Sequence, residues 1–301
     1  MFKNKDLKGA VPLFAALAAL LIAVPLRVYQ YIRLINPETG FFDEVNAAVY
    51  VFYAVLAIAV ILGIFIPFSK KNTLKLVPVS SKSTGFAVVS LIFAVALIVD
   101  SASQLMDYFD LFTTGAAMGT MTVKDYISAQ GGTLLLLQAI TGALSAVYFF
   151  VTGVTVGLGN SDSSKYKLLA LTPVLWCIFR LLYRFKRTIS FMNVSDLFLE
   201  LFLIVFSLLF LFSLAQLNSK IDTYDEDSSM KSVFWTVFGY GIPAALLALT
   251  IFLSRVIIVI SGNSEQLNAL YGINISDFAF AVFAVYTCIS ALKAESKSIE
   301  E

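Results

Sequence analysis

The chain has 301 residues, of which 59% are apolar and only 14% charged, and its formal net charge is +1. Soluble globular domains carry roughly 45–50% apolar and about 25% charged residues, so a water-surrounded core could not hide this much apolar surface. The near-zero charge implies no basic nucleic-acid face, and the absence of histidine removes the commonest general base and metal ligand.

Eight apolar runs follow one another along the chain: Ala10 to Tyr31, Val45 to Phe68, Gly85 to Met106, Thr133 to Leu158, Lys167 to Phe185, Asp196 to Leu217, Ser232 to Ile260 and Ser276 to Leu292. A hydrocarbon layer about 30 Å thick needs roughly 20 helical residues per crossing. Inside it the backbone must satisfy its own hydrogen bonds, so such runs are expected to be helices. The alternating segments of a β-barrel are absent. The expectation is an all-α, polytopic transmembrane helical bundle of about eight spans. Lys3, Lys5 and Lys8 before the first run superficially suit a signal peptide, but no clean small-residue cleavage site follows, so the run reads as a first span. The last run is barely long enough to cross.

The runs pair into two parallel four-helix repeats, 1–160 and 161–301, whose helices begin at 10 and 167, 45 and 196, 85 and 232, and 133 and 276. The first helix of each half ends in Arg- and Tyr-containing sequence, PLRVYQYIR at 25–33 and RLLYRFKR at 180–187. Acids then open the next helix: Asp43 and Glu44, then Asp196 and Glu200. A capped amphipathic stretch precedes each fourth helix, TVKDYISAQ at 122–130 and SEQLNALYG at 264–272. With the N-terminus inside, 13 basic residues fall on the cytoplasmic side and 8 outside, which orients both termini to the cytoplasm. RLLYRFKR opposes that bias.

Charges at membrane depth are costly and mark candidate sites. Arg180 and Arg184 share one helix face, and Asp196 and Glu200 repeat the spacing on the next helix. A turn near Phe191 would place Arg184 level with Asp196 and Arg180 with Glu200. These pairs could serve a site or simply lock the hairpin at the interface. Asp100, Ser103, Gln104 and Asp107 form a polar stripe that could line an outer vestibule, with an Asp100–Arg255 pair across the two halves; plain interfacial solvation is the competing reading. Together Asp100, Gln104, Arg180, Arg184, Asp196, Glu200 and Arg255 are the candidate ligand-binding residues.

Gly239, Gly241 and Pro243 could bend or interrupt the seventh helix. Gly142, Ala146, Gly153 and Gly157 license close packing, either internal or with a second copy. Cys177 and Cys288 lie in apolar runs and read as small hydrophobes. The stretch GLGNSDSSK at 157–165 lacks the glycine–lysine pair of a phosphate loop. The acidic loop IDTYDEDSS at 221–229 lacks calcium-loop spacing and reads as solvated. No metal, cofactor or catalytic residue is expected, and the chain reads as a non-enzyme.

PLRVYQYIRLINPETGFFDE at 25–44 and RLLYRFKRTISFMNVSDLFLE at 180–200 resemble uncharacterised polytopic membrane proteins of Gram-positive anaerobic bacteria. The resemblance implies a bacterial cytoplasmic membrane and no particular activity. Paired halves, intramembrane charges and a Gly/Pro-rich helix point to a permease-like protein for a small polar or ionic solute. The alternative is a non-transporting membrane sensor, scaffold or accessory subunit. The lipid bilayer is the expected partner, with a small polar solute; a partner protein or homodimer is left open, and a lipid-directed enzyme is the least supported class.

Overall fold

The computed structural model describes residues 4–69, 83–118, 122–159, 167–187, 194–219, 229–267 and 272–298. The expected turn near Phe191, nearly all of the acidic loop at 221–229, most of the polar stretch at 157–165 and part of 264–272 lie outside these residues. Within them are nine α-helices: α1 Asn4–Arg33, α2 Ala47–Ser69, α3 Thr84–Met118, α4 Val123–Ala129, α5 Gly132–Gly157, α6 Thr172–Arg187, α7 Val194–Ser219, α8 Ser229–Ile260 and α9 Ile275–Ser298. The described residues contain no strand, only an isolated bridge between Ile35 and Phe42 in the α1–α2 loop.

Local chemistry sets several boundaries. Thr122 accepts from the Asp125 amide (3.2 Å), the N-cap that starts α4, and its hydroxyl donates to the Asp125 carboxylate (2.5 Å). Gly131, at φ 75°, takes the left-handed conformation that turns the chain from α4 into α5. The side chain of Asn46 accepts from the Ala48 amide at the entry to α2.

Six of the expected spans are long and apolar enough to cross a membrane, in α1, α2, α3, α5, α7 and α8. The other two fall short. The apolar part of α9 is only Ile275–Ser290. α6 has 16 residues after a 3-10 turn at Leu169–Leu171, so it rises about 24 Å at 1.5 Å per residue. It also carries four basic residues, which lowers its hydropathy below that of a full crossing.

α3 lies along α5, and the successive contacts α3–α5–α6–α7–α8–α9–α3 close a ring. α1 and α2 pack on the outside of α8, so the N-terminal pair is joined to a helix of the chain's second half. Burial agrees: 67% of the most apolar stretch of α8 is inside the bundle, against 28% for those of α1 and α2. A knot of phenylalanines fills the ring's interior. Phe283 meets Phe86, Phe93, Phe149 and Phe210 at centroid separations of 5.1–6.2 Å. Outward, Leu21, Phe65, Val95, Phe150 and many other large apolar side chains are exposed. Contiguous apolar surface of this extent is the counterpart of lipid, not water.

α8 runs unbroken through Gly239, Gly241 and Pro243, so of the two readings, bend or interruption, the interruption is not present. The small residues serve packing: a Cβ on Gly241 would stand 2.9 Å from the Phe210 ring and 3.0 Å from the Cys288 sulfur. Gly153 and Gly157 are likewise turned to α3, against Ala87 and Ser90, which is the internal alternative for that motif.

Candidate functional site

One end of the bundle carries a belt of buried charges. The arginines belong to the C-terminal parts of α1, α6 and α8, and Asp196 and Asp277 are the third residues of α7 and α9. Asp196 and Asp277 stand in first turns, where the helix dipole favours an acid, whereas Arg27 and Arg255 lie deeper than the last turn of α1 and α8 and depend on their ion partners. The sequences NVSD at 193–196 and NISD at 274–277 open the two acid-bearing helices alike.

Asp196 is held from three directions. Arg27 Nη2 lies 2.6 Å from its Oδ1, the Tyr31 hydroxyl donates to the same oxygen, and Arg255 Nη2 stands 3.8 Å away. Arg27 also donates to Gln30 Oε1 at 2.9 Å and sits 4.6 Å from the centroid of the Tyr31 ring. Glu200, fully buried, is shared by α6 and α8: Arg255 Nη2 donates to its Oε1 at 2.8 Å, and Arg184 Nε is 3.0 Å from its Oε2. The second contact is an ion pair without the alignment of a hydrogen bond. Arg180 grips Asp277 with both terminal nitrogens, at 2.6 and 2.8 Å.

These pairings differ from those expected from the hairpin alone. Arg184 meets Glu200 rather than Asp196, a slide of one helical turn between α6 and α7. The slide leaves Arg180 opposite α9, where it finds Asp277 instead of Glu200. Arg255 is with Glu200 and Asp196, not with Asp100. Arg27, Tyr31 and Asp277 join the belt although they were not among the expected site residues. Their signals were in the sequence: the Arg at the end of an apolar run, and an acid opening one.

Beside the belt lies a polar cavity of about 430 Å³, within the size range of small-molecule sites. α3 forms one wall with Asp100, Ser103, Gln104, Asp107, Asp110 and Thr114 at helical spacing. Leu135 and Gln138 of α5, Arg180, Tyr183 and Arg184 of α6, and Gly272, Ile273 and Asn274 before α9 complete it. Of the seven expected site residues, Asp100, Gln104, Arg180 and Arg184 therefore share this wall. Asp196, Glu200 and Arg255 lie behind it in the belt. Gln104 donates to Asp100 Oδ2 at 2.8 Å, which turns its carbonyl oxygen away. That oxygen, and the one on Gln138, are buried without a hydrogen-bond partner.

A second, apolar groove of about 680 Å³ opens between α2 and α7 under the Gly40–Phe42 loop, lined by Tyr53, Val60, Phe198, Phe202 and Phe206 among others. Ser195 Oγ donates to the Gly40 carbonyl at its upper end.

A helical bundle with six membrane-length apolar helices, an apolar exterior and its buried charges gathered in a belt beside a polar cavity fits a multi-pass integral membrane protein. No protein-family model, curated protein or solved structure matches the chain.

Proposed function

We propose that the protein is a permease-like, non-enzymatic membrane protein for a small polar or ionic solute, with the polar cavity as its solute site. The observation that carries the reading is the cavity itself: charged and amide side chains converge on a solute-sized space within helices that face lipid. Dedicated polar space at membrane depth is otherwise costly to maintain. In this reading α6 and α9 complete eight spans, and the matched helix ends at 25–33 and 180–187 descend from two four-helix halves. In the same reading the protein sits in a bacterial cytoplasmic membrane, and the bias of basic residues supports cytoplasmic termini with the cavity opening outward.

Reconstitution of the full chain in liposomes tests the proposal. Saturable flux of one class among small amines, amino acids, carboxylates and sugars is expected, lost in Asp100→Asn protein that remains folded. Flux no greater than in protein-free liposomes for every class would overturn it. The closed pairing of the belt favours one competing reading, a rigid non-transporting sensor or accessory subunit. Stable co-purification with a partner protein, without flux, would favour that role.

A further inference from the structure

Resting on the solute-site reading above, we infer that the polar cavity selects a small organic cation bearing N–H donors, an alkylammonium or polyamine-like ion. Three features of the cavity wall carry this. The first is the disposition of charge. Arg180 and Arg184 reach the wall, but their guanidinium groups are turned to Asp277 and Glu200, so neither is presented as an anion clamp. Asp100 and Asp110 stand on the α3 side, and among the described residues no arginine lies within ion-pair distance of either.

The second is the pair of orphaned acceptors. Gln104 and Gln138 are 7% and 5% exposed, and the carbonyl oxygen of each is buried beside the cavity with no hydrogen-bond partner. A buried acceptor without a donor costs roughly 1–3 kcal/mol. A ligand supplying N–H groups relieves both at once; an anion or a bare acceptor relieves neither. Two unpartnered amide oxygens, on side chains from different helices that line a space edged by carboxylates, form the complement of an ammonium group.

The third is the axial order. Asp110 and Asp107 are exposed and Asp100 is half-buried, so the acids descend about 15 Å along one face of α3 at its 1.5 Å rise per residue. An acidic path between low-dielectric walls concentrates cations toward its deep end. Among the described residues no three acids or thiols converge as a metal site, which favours an N–H cation over a divalent metal.

The test is equilibrium binding of radiolabelled putrescine and ethylammonium to the purified full chain in detergent, with tetramethylammonium, magnesium and acetate as competitors. Saturable amine binding is expected, displaced poorly by tetramethylammonium, which lacks N–H donors. It should weaken at least tenfold in Asp100→Asn and in Gln138→Leu. Asp110→Asn, at an exposed position, should fold normally and weaken binding severalfold, so the test survives misfolding of a buried variant. Folded wild-type protein that binds neither amine, or binds them unchanged in folded Asp100→Asn and Asp110→Asn, overturns the inference. Tighter binding of magnesium or acetate than of either amine also overturns it. Flux of an anion or sugar without amine binding would sink the cation selectivity and leave the permease reading standing. Amine binding without flux would do the reverse.

Discussion

Arg180 and Asp277 meet as a fork on a fork, two parallel hydrogen bonds of 2.6 and 2.8 Å joining α6 to α9, with both side chains about nine-tenths buried. Trp176, one turn earlier on α6, places its ring 5.5 Å from the guanidinium. Planar, bidentate geometry is specific to arginine, so Arg180→Lys retains charge but loses one bond and the ring contact. Removing one member strands the other in the bundle, a loss of about 3–5 kcal/mol. Asp277→Asn should therefore lower the thermal midpoint in detergent sharply, and Arg180→Met combined with Asp277→Leu should recover most of it. If Asp277→Asn is as stable as the parent, the pair does not hold α9 to the ring.

Glu200 is a different kind of node, because one carboxylate serves Arg184 on α6 and Arg255 on α8. Residues sharing a partner are coupled, so their effects do not add. Arg184→Met and Arg255→Met should each destabilise the protein, with an interaction energy of about 0.5–3 kcal/mol in the double-mutant cycle. Arg255→Met should cost more, since Arg255 also donates to the Gly272 carbonyl at 3.1 Å and lies near Asp196. Strict additivity in denaturant unfolding would separate the two contacts and contradict a shared hub.

The membrane character and the helix positions were legible because lipid imposes a simple rule on composition: long apolar runs, broken by short polar ones. The polar stripe on α3 was equally legible, since Asp100, Ser103, Gln104 and Asp107 repeat at helical spacing and the structure puts all four on one cavity wall. The partners of the arginines were not. Which acid faces Arg180 depends on the sliding of α6 along α7 and on α9 arriving beside them, a tertiary fact with no local trace. α6 is shorter than the run suggested, because the apolar run begins at Lys167 and the helix only at Thr172. Gln138 escaped notice because one amide on an apolar helix acquires meaning only beside Gln104 and the acids of α3.

Cys177 and Cys288 are each 1% exposed, on α6 and α9, and both are free thiols. Only an accessible thiolate reacts readily, so packing alone should protect them. N-ethylmaleimide should modify neither in the native detergent-solubilised protein and both after denaturation in sodium dodecyl sulfate, read by intact mass. Rapid native labelling at Cys177 would mean that α6 does not pack as described.

The glycines of α5 provide a graded test of helix packing. A Cβ on Gly142 would fall 2.5 Å from Ser101 Oγ and 3.1 Å from Trp176 Cδ1, where α3, α5 and α6 come together. On Gly153 it would fall 3.1 Å from the Ala87 carbonyl oxygen, part of a helical backbone that cannot rotate away. On Gly157 the nearest atom is the Ala87 methyl at 3.1 Å. Small residues at such contacts let helices approach closely in lipid, where dispersion and not water exclusion drives association. Overpacking typically costs about 1–3 kcal/mol. Gly142→Ala should therefore destabilise most, Gly153→Ala less, and Gly157→Ala least, as thermal midpoints in one detergent. Because these glycines face α3 of the same chain, none of the three should alter the oligomeric mass measured by light scattering. A change in mass with an unchanged midpoint would place the glycine face between chains instead of between α3 and α5.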